Sequence, residues 1–491
     1  MIKADTKRIK TLGDLKSSDY TPRSIKEEIR HNLSVALRYE EKLFRDLIGY
    51  DDTVIPDLQR ALLSKHNINL LGLRGQAKTR MARSIAALLD EYIPVIPGSE
   101  LNEDPLAPIT EASKEKIRKE GNKMPIEWLH RDDRYVEKLA TPDISVADLI
   151  GDIDPIKAVN EKLSYNDEGV IHYGLIPRAN RCIFCLNEIP DLQPRIQVAL
   201  FNILQEKDIQ IRGFKFRIPL DIQFIFTANP EDYTNRGSIV TPLKDRIGSQ
   251  ILTHYPKDLA VSMAITAQEA KLHPEQEKLV EIPDLLRELI EEVVFEARDN
   301  EFVDPKSGVS ARLSISAMEN LVSAAERRAL MNAEKKTPAR IMDLYSIIPS
   351  ITGKIEMVYE GEQEGPYNVA RILIGKAIRK TFTKYFGDLT DGREDENSAI
   401  NRIVHWFEKG NNLPVAFNSS DRKYAEFLNK VEGLGEFVKN SIDDKGNMFH
   451  YVWMEFALHG LAEHSKLSKT NTKDSTLFGD LVGSMLKGFE E

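Results

Sequence analysis

Cysteine is scarce in this chain: only Cys182 and Cys185 occur among its 491 residues. Two thiols are too few for a disulfide framework or a zinc ribbon. They flank an apolar segment that we interpret as a strand, and residues three apart on a strand point to opposite faces. We therefore expect two buried, small apolar side chains rather than a pair that chelates an ion or forms a disulfide.

Long apolar runs are also missing. No stretch approaches the roughly 18 residues that a membrane-spanning helix needs, so we expect no membrane span. The first residues, MIKADTKRIKTLGDLK, lack the apolar core of a secretory signal. These absences favour a cytoplasmic protein in a reducing compartment.

Positive charge is in deficit, because 67 Lys and Arg against 77 Asp and Glu leave a net charge of −10. Such a chain is a poor candidate for non-specific binding to nucleic acid or anionic membranes, although a local basic groove is compatible with it. Hydrophobic residues make up 41% and charged residues 29%, which is typical of an ordinary globular protein. The length suggests two to four domains.

A strand, a glycine-containing loop and a helix follow one another near residue 70. Ile68 to Leu71 is a short apolar run typical of a buried strand, and 78–89 has a strong helical pattern. Further apolar runs at 183–186 and 222–228 predict more strands. This order predicts an α/β fold with a parallel sheet flanked by helices.

The loop GLRGQAKT nearly fits G-x-x-x-x-G-K-[ST], the pattern of a phosphate-binding loop. That chemistry needs inward-pointing backbone N–H groups, a lysine for the phosphates and a hydroxyl for Mg²⁺. Lys78 and Thr79 supply the last two, and Ala77 replaces the usual second glycine. The alternative is a chance glycine-rich turn before a helix. The candidate cofactor-binding residues are Gly72, Gly75, Gln76, Ala77, Lys78, Thr79 and Arg80.

A second motif, IFCLNEI, is an apolar strand that ends in Asn187 and Glu188. P-loop ATPases commonly place an Asp for Mg²⁺ and a Glu for the attacking water at this point. Asn187 carries no charge, whereas Mg²⁺ favours carboxylate oxygens, so weaker handling of Mg²⁺ is expected. Thr79 and Asn187 are the candidate metal residues, and Glu188 is the candidate for positioning water. The alternative for Glu188 is a simple helix cap.

With these motifs in place, the chain resembles an AAA+ ATPase of the clade with a helix-2 insertion, near the MoxR-like ATPases and the magnesium chelatase I subunit. The resemblance covers roughly 45–350. It rests also on three segments: ADLIGDIDPIKAVNEKLSYNDEGVIHYGLIPRANRC, FIFTANPEDYTNRG and TPLKDRIGSQI. The first is similar to the helix-2 insertion with its β-hairpin.

The resemblance implies roles for further residues. Asn229 matches the sensor 1 residue, which orients water, although an Asn-Pro turn is the alternative. Arg246 matches the arginine finger that enters a neighbouring subunit's site, with Arg236 as a rival. Arg312 matches the sensor 2 arginine of the lid. A finger acting in trans implies a ring, most simply a hexamer.

Four parts are predicted along the chain. Residues 1–22 form a flexible N-terminal segment, and 23–257 form the AAA+ nucleotide-binding domain with an insertion near 98–132. A helical lid follows over 258–350. The remaining part, 351–491, lies beyond the resemblance and is predicted to be a mostly helical domain.

The predicted function is an ATP-dependent, chaperone-like remodelling ATPase that uses ATP and Mg²⁺. The resemblance implies a protein partner of the von Willebrand factor A type. One alternative is a nucleotide-gated scaffold with little turnover, which Ala77 and Asn187 favour. Another is a magnesium-chelatase-type motor subunit. A sigma-54-type activator is disfavoured because no GAFTGA-like string occurs.

Overall fold

The computed structural model describes residues 8–160, 168–211, 217–230, 238–387, 389, 399–442, 449–472 and 474–481. The chain divides into two compact units, 1–254 and 255–491. Across the described ranges, no helix is long and apolar enough to cross a membrane.

The first unit is built on a five-stranded sheet. Its strands are β1 (Ile68–Leu71), β2 (Tyr135–Leu139), β3 (Cys182–Asn187), β4 (Ile222–Ala228) and β5 (Ser249–Leu252). Their order across the sheet is β5-β1-β4-β3-β2, and every neighbouring pair is parallel. The predicted parallel sheet flanked by helices is therefore confirmed.

The helices of the first unit pack on and around this sheet. Ser24 caps one of them by accepting a hydrogen bond from the Glu27 N–H, and Ile25, Ile29 and Leu33 form its buried stripe. The α-helices are Leu12–Lys16, Ile25–Arg38, Val54–Leu63, Lys78–Ser84, Glu111–Glu120, Val146–Leu149, Pro155–Asn160, Leu175–Arg178, Pro194–Glu206 and Thr241–Arg246. Short 3₁₀ helices span Ile85–Leu88, Gly121–Lys123, Arg131–Arg134, Glu168–Val170 and Ile189–Asp191.

Three antiparallel strand pairs surround the main sheet: Tyr92–Val95 with Glu127–His130, Gly151–Ile153 with Ile171–Tyr173, and Asp208–Ile209 with Ile218–Pro219. The second pair lies in the segment that resembles the helix-2 insertion. Apolar and polar residues alternate over 208–219, a pattern that predicts a β-hairpin, and the third pair confirms its two strands. Its turn, 212–216, and residues 161–167 lie outside the described residues.

The sheet is apolar on both faces. One face packs Cys185 with Ile225 and the helix residue Met81, while the other packs Cys182 with Phe184. The two thiols therefore lie on opposite faces in separate parts of the core, as the strand pattern predicts. Burial raises the pKa of Cys182 to about 11 and that of Cys185 to about 12, so both are neutral thiols at physiological pH.

The described part of the N-terminal segment, which the sequence predicts to be flexible over 1–22, is packed against the insertion. Leu12 and Leu15 are fully buried in a small core with Met124. Within the insertion, the buried Glu103 carboxylate accepts hydrogen bonds from Thr110 and from the Ser113 hydroxyl. The described part of the N-terminal segment is thus packed against the insertion, because two leucines spaced three apart form an apolar face on a single helical turn.

The second unit is mostly helical. Its α-helices are Leu259–Glu269, Pro274–Leu279, Asp284–Arg298, Arg312–Met331, Ile341–Leu344, Ile348–Thr352, Tyr359–Glu364, Pro366–Phe386, Ala399–Glu408, Asp421–Leu428, Leu434–Ser441 and His450–Glu463, with a 3₁₀ turn at Tyr345–Ile347. Strands Val280–Glu281 and Thr337–Pro338 pair in parallel. A three-stranded antiparallel sheet has Ser475–Gly479 between Leu413–Ala416 and Ser468–Asn471. One hydrophobic core runs through the unit from Val280 to Phe478.

Candidate phosphate-binding site

The candidate site lies at the carboxyl edge of the parallel sheet. The loop that starts at Gly72 follows β1, Glu188 follows β3 and Asn229 follows β4. Strand β1 lies between β4 and β5, whereas β2, which is the next strand of this sheet along the chain, is at the far edge. Ligands of open α/β sheets bind outside the carboxyl ends of the strands, at the point where strand order reverses. The fold thus brings the predicted motifs to the place where a ligand is expected.

Two positions of the loop have a backbone that restricts the residue. A Cβ at Gly72 would overlap Thr253 Oγ1 and Gln76 Oε1, so only glycine fits there. Ala77 has φ +55° and ψ +19°, in the left-handed region, directly before the helix Lys78–Ser84. A non-glycine residue in this region costs roughly 1–2 kcal/mol. Alanine therefore keeps the loop closed, at a conformational cost that a glycine would not have.

Lys78 is held at the mouth of the loop. Its Nζ donates to the carbonyl oxygens of Gly72 and Leu73, the latter at 2.9 Å, and to Asn229 Oδ1 at 2.7 Å. Asn229 is 4% exposed. The structure thus joins the lysine of the first motif to the candidate sensor across 151 residues of sequence. An ammonium group surrounded by three oxygen acceptors is well placed to exchange them for phosphate oxygens.

The underside of the loop is fixed by buried hydrogen bonds. Gln76 is buried, and its Oε1 accepts from the Thr253 hydroxyl at 2.6 Å. The Tyr50 hydroxyl lies 3.0 Å from the Gln76 carbonyl and 2.8 Å from the His254 carbonyl. These contacts tie the loop to the end of β5, so the loop is held in shape without a bound anion.

Asn187 is held on both sides of its amide. Its Nδ2 donates to Glu137 Oε1 at 2.8 Å, and its Oδ1 accepts from the Thr227 hydroxyl at 3.1 Å. Glu137 Oε2 in turn accepts from Arg83 Nε at 2.9 Å. A carboxylate at position 187 would face the Glu137 carboxylate, whereas the amide is complementary to it. The structure therefore supplies a local reason for asparagine at this position.

Glu188 has an unusual backbone. Its φ is +55° and ψ is +49°, and its N–H donates to Thr227 Oγ1 at 3.1 Å. Within the described part of the chain, no hydrogen bond holds its half-buried carboxylate. Strained backbone positions concentrate at functional sites, and this one places an unengaged carboxylate at the edge of the sheet.

Arg246, Arg80 and Thr79 take no part in the contacts described for Lys78, Asn187 and Asn229. Arg246, the last residue of the helix Thr241–Arg246, is half-buried against the helix Pro194–Glu206. There it donates to Gln205 Oε1 at 2.8 Å and stacks over the Phe201 ring at 4.6 Å. Arg80 donates to the Asp46 carbonyl at 3.5 Å. Thr79 is half-buried in the first turn of the loop's helix. None of these contacts joins Arg246 to the loop.

Two further arginines stay predictions. Arg312 begins the helix Arg312–Met331 in the second unit, and it is exposed. Arg236, the rival for the finger, lies outside the described residues.

Sequence reasoning missed Glu137, Thr227 and Thr253. Thr227 had a visible signal, since it is one of two polar residues, with Gln223, in the mostly apolar segment Ile222–Ala228. Glu137 and Thr253 had none, because their relevance depends on which strands are neighbours in the sheet. In the described ranges, no cluster of three or more His, Cys, Asp or Glu side chains is arranged as a metal site.

The sheet and the glycine loop at its carboxyl edge define a P-loop α/β fold. Residues 126–247 match the family model of the AAA domain, dynein-related subfamily. The chain therefore carries an AAA domain over this stretch, which contains β2, β3, β4 and the candidate residues Asn187, Glu188, Asn229 and Arg246. The loop 72–79 precedes the matched residues. A comparison with curated proteins gave no match.

Several solved structures are similar to parts of the chain. A candidate ATPase from Cytophaga hutchinsonii is 17% identical, with 74% of this chain and 97% of that chain covered and a TM-score of 0.30. A chain of the complex between magnesium chelatase subunits BchI and BchD is 18% identical, with 65% and 97% covered and a TM-score of 0.34. NtrX from Brucella abortus in complex with ADP is 12% identical, with 77% and 66% covered and a TM-score of 0.34. At these scores the three neighbours carry no conclusion about function.

Proposed function

We propose that this chain is an AAA+ ATPase that binds ATP at the loop 72–79 and hydrolyses it. The observation that carries the proposal is the position of Lys78, whose Nζ is held by two loop carbonyls and by Asn229. Phosphate oxygens are equivalent acceptors for this ammonium group, and the backbone of the loop provides further donors. The AAA domain match over 126–247 supports the same assignment.

We assign separate roles in hydrolysis to three residues at the carboxyl edge of the sheet. Lys78 binds and neutralises phosphate charge, while the free carboxylate of Glu188 positions and activates a water molecule. Asn229 couples the two, since its amide contacts Lys78 from the neighbouring strand and also has N–H groups for a phosphate oxygen or water.

The residues present fit Mg²⁺ through the Thr79 hydroxyl and the Asn187 amide oxygen, which are neutral ligands. When bound, the ion would neutralise charge on the phosphates. The carboxylate that contacts the Asn187 amide is that of Glu137, and it also bonds to Arg83. A site with neutral ligands binds Mg²⁺ weakly, so we expect slow turnover.

Steady-state ATP hydrolysis with Mg²⁺ tests the proposal. The wild-type chain should turn over ATP, and Glu188→Gln should abolish turnover while leaving ATP binding intact. Lys78→Ala should abolish binding itself, measured by titration with ATP. Lys119→Ala is the control, because Lys119 is an exposed cation of the insertion that pairs with Glu115. Unchanged ATP affinity in Lys78→Ala would contradict the proposal.

A second candidate is a nucleotide-gated scaffold with little turnover. The specific observation in its favour is the neutral Asn187 amide, held between Glu137 and Thr227 where a metal-binding carboxylate is usual. This candidate predicts ATP binding that Lys78→Ala removes, together with hydrolysis no faster than that of Glu188→Gln.

We further infer, from the resemblance alone, a ring of subunits that remodels a protein partner of the von Willebrand factor A type. Arg246 would then act in trans, and Arg312 would couple the lid to hydrolysis. Stimulation of the ATPase rate by an added candidate partner, lost in Glu188→Gln, is the test of this finer assignment.

A further inference from the structure

A large cavity opens at the amino edge of the sheet, which is the edge opposite the loop. It has a volume of about 1040 Å³ and lies beside the start of β1, β3 and β4. Its wall includes apolar residues, among them Pro108, Ile203 and Leu204. The volume and the mixed lining are those of a small-molecule site.

The wall of this cavity is basic although the chain is acidic. Seven Lys and Arg side chains and five Asp and Glu side chains line it, which leaves an excess of positive charge where the whole chain has −10. Four of the five carboxylates are already engaged. Asp104 pairs with Arg181 and Glu27 pairs with Lys65, while Asp221 and Glu168 accept backbone N–H groups. Glu206 is in no ion pair with any residue that the structure describes.

Three cations of the wall lack an ion-pair partner. Among the described residues, no carboxylate lies within 4.0 Å of Arg23, Lys26 or Lys207. Arg23 Nη1 is buried and has no hydrogen-bond acceptor in the described ranges. A buried guanidinium donor without an acceptor is costly, and negative charge in the cavity that Arg23 lines would offset part of that cost electrostatically.

The charged form of Lys26 is disfavoured in the wall of this cavity. Its Nζ donates to Asn67 Oδ1 at 2.7 Å, which is a neutral acceptor. Burial, and then the charge of Lys207, lower the pKa of Lys26 to about 8, with Asp221 offsetting part of the effect. A nearby anion would favour the charged form of this lysine.

We propose that the cavity beside Arg23, Lys26 and Lys207 binds a small organic phosphate. The phosphate group would lie among the three cations, and the organic part would pack on Ile203 and Leu204. This site is separate from the loop 72–79, and its occupancy does not depend on ATP hydrolysis.

Calorimetric titration of the full-length Lys78→Ala variant tests the proposal, because that variant lacks the loop's lysine. The probes are pyrophosphate, ADP and a glutamate decapeptide. We expect pyrophosphate and ADP to bind, with ADP at least as tight. No binding of either, or binding of the peptide alone, would overturn the proposal. Weaker binding of ADP than of pyrophosphate would overturn the placement of the organic part.

Variants in the Lys78→Ala background locate the binding. Lys26→Met keeps the packed stem and removes the charge, and it should weaken pyrophosphate binding about tenfold or more. Lys207 ends a helix at φ +56°, a position that favours glycine, so Lys207→Gly should weaken binding while leaving thermal stability equal or higher. Lys119→Ala is the control, since Lys119 pairs with Glu115 outside the cavity. Unchanged affinity in both cavity variants would refute the site.

Discussion

At the scale of single residues, the loop 72–79 holds one non-glycine residue in a backbone conformation that favours glycine. Ala77 occupies the left-handed region at φ +55°. Ala77→Gly should raise the free energy of unfolding by about 1 kcal/mol, because glycine adopts this backbone without steric cost. Urea unfolding of the full chain measures the difference.

Ala87→Gly is the matched control for that prediction. Ala87 lies in the same segment, in the 3₁₀ turn Ile85–Leu88, and has an ordinary negative φ. Glycine there should lower the unfolding free energy by about 0.5–1 kcal/mol. If both variants destabilise the chain equally, the left-handed strain at Ala77 is not a real cost.

The amide of Asn187 is a second residue-scale feature with a measurable consequence. Asn187→Asp would remove the donor to Glu137 and place two carboxylates side by side. We expect it to lower the unfolding free energy by about 1–3 kcal/mol, the usual cost of losing a buried hydrogen bond. The double variant with Glu137→Gln exchanges donor and acceptor and should recover most of this loss.

A double-mutant cycle over Glu137 and Asn187 measures that coupling. A coupling energy near zero would show that the contact does not determine the residue at 187. The same variants report on turnover: if the double variant hydrolyses ATP faster than wild type, the neutral amide limits the handling of Mg²⁺ in the native chain.

At the scale of elements, one helix of the second unit carries a buried acid. Glu455 in His450–Glu463 accepts hydrogen bonds from the Ile341 N–H at 2.9 Å and the Tyr424 hydroxyl at 2.7 Å. Its other oxygen has no partner among the residues that the structure describes. Burial is the main cause that raises the pKa of Glu455 to about 7 from an ordinary value of 4.5. The folded state therefore holds this proton more tightly than the unfolded state.

The sign of the pH effect follows from that difference. The stabilising contribution of protonated Glu455 is complete below about pH 4.5 and is lost as the pH rises through about 7. Glu455→Gln should therefore be more stable than wild type at pH 8, by about 3 kcal/mol at 1.36 kcal/mol per pKa unit, and similar at pH 4.5. Chemical unfolding at the two pH values measures this.

Glu436→Gln is the control for the pH experiment. Glu436 is exposed and pairs with Arg402, which holds the pKa of Glu436 below its usual value. Its contribution to stability is therefore lost as the pH falls, the opposite direction to Glu455. If the unfolding free energies of Glu455→Gln and wild type differ by the same amount at pH 4.5 and pH 8, the raised pKa of Glu455 is contradicted.

At the scale of the whole molecule, the proposal to test is that Arg246 completes the ATP site of a neighbouring subunit. Arg246 packs on Phe201 and Gln205, and no described contact brings it to the loop of its own chain. If it acts in a neighbouring subunit, ATPase activity per subunit should rise with protein concentration. Arg246→Ala should keep ATP affinity and lose turnover by about 10³-fold or more.

Mixing experiments decide whether Arg246 acts in the ATP site of its own subunit or in that of a neighbouring subunit. Arg246→Ala subunits mixed with Glu188→Gln subunits should regain part of the activity, since each supplies the group that the other lacks. Sedimentation confirms that mixed assemblies form. Stable mixed assemblies without recovered activity would show that Arg246 does not act across an interface.

The sequence by itself determined the local pieces of this protein. Strands Ile68–Leu71 and Ile222–Ala228 have the predicted bounds, because a short apolar run between polar breakers needs no distant information. The helix predicted over 78–89 is regular only as far as Ser84 and continues as the 3₁₀ turn Ile85–Leu88, a tightening that periodicity does not signal.

Only the tertiary structure decided which distant residues meet. The contact of Asn187 with Glu137 joins residues 50 apart, and it exists because β2 and β3 are neighbours at one edge of the sheet. The cavity at the amino edge likewise combines Lys26 with Lys207. Strand order follows from how the whole chain buries both faces of its sheet, so local patterns specify each element, whereas the packing of the sheet specifies its neighbours.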